Sequence, residues 1–221
     1  MTNVLIAIPT LGSIHPRFLS CAMELKKPDG YKLVIPYRVV TDAARNEVVK
    51  YALKKNFSHV FFIDDDMTFP PTVLEDLLKR SIENPKLAGV SALSFARHAP
   101  HHPFAFNRKG KDPIFVPITN LDAGFIEVDA ISTACVVFPT WVFGRTEFPW
   151  FEYLYIGPMR TTEDIAFCLK MSDLGIKFGV DTGIKLGHLG EQLEIRAEHH
   201  ELYLEAARKA EAAKQAEPAR P

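Results

Sequence analysis

An α/β fold, with a mixed but mainly parallel sheet flanked by helices and a helical C-terminal tail, is predicted by three features of the sequence. Short apolar runs alternate with segments whose apolar residues recur at helical spacing, the pattern of strands joined by crossover helices. One such run, Val60-Phe61-Phe62-Ile63, stops abruptly at three carboxylates, Asp64, Asp65 and Asp66, as a buried strand does when its end opens into a crevice. From Glu191 onward the composition shifts to Glu, Ala, Lys and Arg, which reads as an exposed helix with a solvated end. The organisation that follows is one domain over residues 1–190 and a tail over residues 191–221.

The elements come in this order. Val4-Leu5-Ile6-Ala7-Ile8 is apolar at every position and stops at Pro9, a first strand buried on both faces. Phe18, Leu19, Ala22, Met23 and Leu25 make a helical stripe over 16–26. Pro28-Asp29-Gly30 turns the chain into a second strand over 31–35. Asp42 is placed to cap a helix over 43–55, with Val48, Val49, Ala52 and Leu53 on its apolar face. The strand into the Asp cluster follows, then a helix over 70–81 opened by Pro70 and Pro71, and a strand over 87–93. Residues 95–117 hold four prolines and three histidines and read as a long loop. Strands over 125–128 and 131–138, a helix over 161–174 ended by Gly175, and a strand over 176–180 complete the domain.

Bulk properties exclude several classes. At 221 residues, with 47% hydrophobic and 24% charged side chains, the chain supports one sizeable core. A formal net charge of −1 gives no overall pull toward nucleic acid or an anionic membrane. No apolar run approaches the ~18 residues of a membrane span. The N-terminus lacks a basic flank and long apolar core, so a cytoplasmic location is expected. Cys21, Cys135 and Cys168 lie far apart among apolar neighbours and read as free thiols in a reducing compartment. Neither GxGxxG nor GxxxxGK[ST] occurs, so no dinucleotide or P-loop site is indicated.

Three adjacent carboxylates repel one another and hold their protons more tightly unless a cation sits among them. A hard divalent ion, Mg²⁺ or Mn²⁺, shared with phosphate oxygens, relieves that repulsion; the competing reading is an acidic helix cap, which needs one Asp and not three. Glu163 and Asp164 open a helix, where the helix dipole alone accounts for two acidic residues. His188 stands between Gly187 and Leu189-Gly190, a bare setting that suits either a ligand or a structural role. His98, His101 and His102 carry no spacing that imposes a metal geometry and read first as solvated loop residues. Residues 97–111 add Arg108, Lys109 and Lys111 beside Phe104 and Phe106, a pattern able to track a polyanion such as nucleic acid. Phe148-Pro149-Trp150-Phe151 is either a core plug or a stacking wall.

Taken together and in this order, several of these segments resemble the GT-A-fold nucleotide-sugar glycosyltransferases, especially the family-2-like group. They are Ala44-Arg45-Asn46, the strand into Asp64-Asp65-Asp66-Met67, Ser132-Thr133-Ala134, Glu163-Asp164 and the late His188. The resemblance spans roughly residues 3–190 and implies a sugar moved from a nucleoside-diphosphate donor to a hydroxyl acceptor. Asp64-x-Asp66 matches the DxD motif, with Asp66, Asp64 and His188 as ligands of Mn²⁺ or Mg²⁺. Thr10, Arg45, Asp64 and Asp65 fall where the donor is held. Asp164 matches the catalytic base of inverting members, with Glu163 beside it. The implied acceptor is a glycan or lipopolysaccharide precursor, or a hydroxylated base in DNA.

Departures from the family are Asp65 as the middle residue of DxD, Thr162 before Glu163-Asp164, and the lack of a Gln-x-x-Arg-Trp segment, which argues against a processive synthase. Retaining members use the same framework without such a base, so stereochemistry stays open. The rival enzyme class is a haloacid-dehalogenase-type phosphatase, whose Asp-x-Asp-x-Thr is met by Asp64, Asp66 and Thr68. Asp64 would then be the nucleophile and Asp66 the acid/base. That motif normally opens such a chain, whereas here it follows two strand–helix units. A pyrophosphorylase would need a Gly-rich basic loop where Thr10-Leu11-Gly12-Ser13 stands. A non-catalytic binding module would have no use for a metal and a base together.

Overall fold

The computed structural model describes residues 2–110, 114–190 and 194–216. Lys111 of the basic loop and the chain end after Ala216 lie outside them. The core is a seven-stranded sheet built from β1 (Val4–Ala7), β2 (Lys32–Val34), β3 (His59–Ile63), β4 (Val90–Leu93), β5 (Phe125–Val128), β6 (Cys135–Pro139) and β7 (Phe178–Lys185). Their order across the sheet is β2-β1-β3-β6-β4-β7-β5. Strands β1, β2, β3, β4 and β7 share one direction, while β6 and β5 run against it. The protein is thus a mixed α/β fold with a mainly parallel sheet.

Period-two alternation assigns the helices to the two faces. Val4, Ile6, Phe61 and Ile63 point to one face, with Phe18 of α1 (Pro16–Glu24) and Leu74 and Leu77 of α3 (Val73–Glu83). Leu5, Ala7, Val60 and Phe62 point to the other, with Val48 and Val49 of α2 (Thr41–Lys54) and Phe167 and Met171 of α4 (Glu163–Asp173). A fifth helix, α5 (Ala197–Ala216), follows the last short strand, with Ala197 and His200 buried at its start. No helix among the described residues is long and apolar enough to cross a membrane.

The structure corrects several local expectations. Helix α2 starts at Thr41, so Asp42 lies inside its first turn and favours the helix through the dipole instead of capping it. The expected strand 131–138 is two elements: Ala130–Ile131 joins a small sheet, and after a bend at Ser132-Thr133-Ala134 the wholly buried β6 inserts between β3 and β4. The expected loop 95–117 contains the strands Ala105–Arg108 and Phe115–Pro117, paired to each other and, through Ala105–Arg108, to Ala130–Ile131. Pro117 lies at a strand end and Pro100 in the turn, where no ladder N–H is needed. Trp150 and Phe151 are core, with Asn46 bonding both backbone N–H groups and the Phe151 carbonyl, while Phe148 is exposed. Cys135 and Cys168 are buried free thiols and Cys21 is half-buried.

Candidate functional site

Because β1, β3, β4 and β7 run the same way, the chain leaving each of them emerges at one edge of the sheet. Thr10 follows β1, the three aspartates follow β3, Phe95 and Arg97 follow β4, and His188 follows β7. This is the edge where open α/β sheets bind ligands. A cleft of about 390 Å³ opens there. Thr10, Asp64, Asp65, Asp66 and Arg97 are among its walls, together with Leu11-Gly12-Ser13, Val39 and Thr41.

Asp64 stands at the end of β3 with its N–H donating to the Ala134 carbonyl at 2.9 Å, which ties it to the start of β6. Its Oδ1 accepts from Nη2 of Arg45 at 2.8 Å. Arg45 is buried in α2 and its Nη1 also donates to Glu163 at the start of α4. The Arg45 cation therefore links three elements. Burial disfavours the guanidinium charge, but Asp64, Glu163 and Asp164 outweigh it and hold Arg45 more firmly charged than usual. Burial pushes the Glu163 carboxyl up against the pull of Arg45. The same conflict raises Asp64 to about 6: burial and the neighbouring carboxylates prevail over Arg45.

Asp66 is held differently. Its Oδ2 faces Nε2 of His188 at 3.3 Å and Nη2 of Arg97 at 3.4 Å. Burial raises the Asp66 carboxyl, but the His188 contact and the Arg97 charge prevail and hold it below its ordinary value. His188 is brought here by a three-stranded sheet in which Gly187–Leu189 lies between Met67–Thr68 and Glu194–Ile195. His188 is in register with Met67, and the Leu189 N–H donates to the Asp66 carbonyl at 2.7 Å. Gly187 leaves room for its neighbours in that sheet, since a Cβ would run into the Glu194 and Thr68 side chains and force them to shift.

Nδ1 of His188 lies 2.7 Å from the Phe95 carbonyl oxygen. A carbonyl only accepts, so Nδ1 carries a proton and Nε2 is the nitrogen left for a cation. Metal-ligating histidines are oriented in this way by a bond from the other ring nitrogen. Asp66 and His188 thus offer one oxygen and one nitrogen to a divalent cation, whose remaining positions would fall to phosphate or water. Asp64 is turned to Arg45. Among the described residues no group of three or more His, Cys, Asp or Glu side chains is gathered so as to hold a metal ion.

The other candidates are placed as follows. The buried Thr10 bonds Asp65, a contact that opposes the upward push of burial on that carboxyl. Glu163 is buried, while Asp164 is half-buried at the N-terminus of α4, with Oδ1 accepting from Thr162 and from the Ile165 N–H at 2.8 Å. Both act electrostatically on Arg45 and Asp64. Tyr153 bonds Glu163, a neighbour no sequence pattern announced. Of the basic loop, Arg97 is turned to Asp66 and Arg108 to Asp173 at 2.5 Å.

No protein-family model matches the sequence, and no curated protein matches it. Among solved structures, the chain is similar to the crystal structure of A197 from STIV, with a TM-score of 0.65 and 15% sequence identity. The match covers 89% of this chain and 91% of that one. At that identity the likeness is one of fold, a mixed α/β sheet flanked by helices.

Proposed function

We propose that the protein is a metal-dependent glycosyltransferase with a GT-A-type fold, moving a sugar from a nucleoside-diphosphate donor to a hydroxyl acceptor. The observation that carries this reading is the pairing of Asp66 with His188 at the ligand-binding edge of the sheet. Oδ2 of Asp66 and Nε2 of His188 lie 3.3 Å apart, and Nδ1 of His188 is engaged with the Phe95 carbonyl. Asp66 and His188 would hold the metal, which when bound supplies positive charge to a departing diphosphate.

The chain's own residues do the rest. Thr10 and Asp65 line the cleft beside the donor, and Arg45 fixes the direction of Asp64 from below. In transfer, the bond between the anomeric carbon and the diphosphate oxygen breaks, with the electron pair leaving on the diphosphate. The acceptor oxygen bonds to that carbon and gives its proton to Asp164. Glu163 is spent on Arg45 and Tyr153, whereas the two bonds to Asp164 both fall on Oδ1. The phosphatase alternative makes Asp64 the nucleophile, with Oδ1 held by Arg45 at 2.8 Å and Oδ2 left to attack.

Calorimetric titration with UDP, GDP, CDP and ADP, with and without Mn²⁺, tests this reading. Metal-dependent binding of one nucleotide is the expected result and names the donor's base. Binding of none, together with hydrolysis of a generic phosphate ester, would replace the transferase by the phosphatase.

A further inference from the structure

Arg97 shares one carboxylate oxygen with the proposed metal site. Its Nη2 lies 3.4 Å from Oδ2 of Asp66, the same oxygen that faces His188 at 3.3 Å. The side chain is half exposed and forms part of the cleft wall. Its backbone is held on both sides. The Ala96 N–H donates to the His102 carbonyl at 2.9 Å, His101 bonds the Ala96 carbonyl at 2.9 Å, and the Pro100 carbonyl accepts from Nδ1 of His200 at 2.8 Å. The loop is therefore anchored to its own stem and to the first turn of α5. From that anchored loop the long Arg97 side chain reaches the cleft wall.

Two cations at Oδ2 of Asp66 compete for its charge and repel one another. A divalent ion at Asp66 and His188 would repel the guanidinium. The nearest new anion for it is the diphosphate that arrives with the ion, and a planar guanidinium fork suits phosphate oxygens better than an ammonium does.

Building on the transferase reading, we infer that Arg97 is an exchangeable counter-ion: it neutralises Asp66 in the empty cleft and passes to the donor's diphosphate when the metal takes its place. In the empty protein it lowers the repulsion within the aspartate cluster and competes with free metal. In the loaded protein it positions the diphosphate, so that metal and nucleotide bind tightly only as a pair. It is a positioning residue for the leaving group, and it makes metal binding conditional on donor.

The test compares wild type, Arg97→Ala and Arg97→Lys by calorimetry, first with Mn²⁺ alone and then with the four nucleoside diphosphates at saturating Mn²⁺. Arg97→Ala is expected to bind free Mn²⁺ several-fold more tightly, because its competitor is gone. The same variant is expected to bind the preferred nucleotide about tenfold or more weakly, the loss of a charge-assisted bond. Arg97→Lys should restore the weak Mn²⁺ binding and only part of the nucleotide affinity.

Opposite changes in the two affinities are the signature, since general loosening of the loop would weaken both. If wild type binds the nucleotide with Mn²⁺ but Arg97→Ala moves both affinities the same way, or neither, the counter-ion role is wrong while the transferase reading stands. Wild type that binds no nucleotide overturns both.

Discussion

Nη2 of Arg45 donates to Oδ1 of Asp64 at 2.8 Å across 19 residues of sequence, and Nη1 of the same guanidinium serves Glu163, 118 residues from Arg45. A fully buried cation thus fastens the end of β3 to α2 and α4 directly beneath the cleft. Nε of Arg45 is buried with no hydrogen-bond partner, so the group is held by its two carboxylates and not by general solvation.

Arg45→Ala leaves two carboxylates without their cation, Glu163 in the interior and Asp64 partly open to the cleft. Removing one partner of a buried pair destabilises by about 3–5 kcal/mol. The Asp64 side chain is 30% exposed, which places the expectation at the lower end. Urea unfolding would measure it, and an unchanged midpoint would remove the structural role. Arg45→Lys recovers part of the loss, since an ammonium does not span both carboxylates as the fork does.

Asp66→Ala and His188→Ala should each weaken Mn²⁺-dependent nucleotide binding by about 100-fold or more, because even outer partners of metal ligands are worth ~10–100-fold. Far-UV circular dichroism should be unchanged by the Asp66 substitution. Retained metal-dependent binding in both variants would place the metal elsewhere.

Asp164→Asn keeps the shape of the side chain and removes the proton acceptor. Nucleotide and Mn²⁺ affinity should stay at the wild-type level while turnover falls about 10²–10⁴-fold. Full turnover in this variant would transfer the base role to another group.

Asp64 titrates near 6 in the folded chain, up from 3.8. Between those values the folded chain holds a proton that the unfolded chain has released, so this group's contribution to stability falls as pH rises through the window. A ligand that needs the carboxylate must expel that proton. A divalent cation on the neighbouring Asp66 favours ionised Asp64, so metal-dependent nucleotide binding should weaken as pH falls below about 6 and release a proton near that pH. Calorimetry in buffers of different ionisation enthalpy reads the proton directly.

Gly187→Ala should damage the site without touching a ligand. A methyl group there runs into the Glu194 and Thr68 side chains, so either they or the pairing of Gly187–Leu189 with Met67–Thr68 must shift. His188 would lose its position over Asp66, and metal-dependent binding should fall about as far as in His188→Ala. Binding at the wild-type level would mean the sheet relaxes around the methyl.

Local patterning was enough to read the strand–helix alternation, because burial on both faces of β1 and β3 demands unbroken apolar runs such as Val4–Ala7 and because helical spacing marks α2 and α4. The Asp cluster at the end of β3 was legible for the same reason: a charge burst after an apolar run has few structural uses. The insertion of β6 between β3 and β4 was not legible, since a wholly apolar strand carries no mark of its neighbours or its direction. Nor was the strand content of residues 95–117, where proline-rich composition masked pairing made at long range.

The residues that act together were decided by tertiary structure. Whether Glu163 or Asp164 faces inward is not written in the pair itself; it follows from where the Arg45 cation lies. His188 and Asp66 are 122 residues apart and meet through the register of a three-stranded sheet. Arg97 belonged, on sequence, to a basic loop, and only the return of that loop beneath α5 turns it to Asp66. Residue chemistry and periodicity are local properties that one chain displays by itself. The sharing of one carboxylate oxygen by a histidine and an arginine depends on strand order and direction, which the balance of the whole core selects.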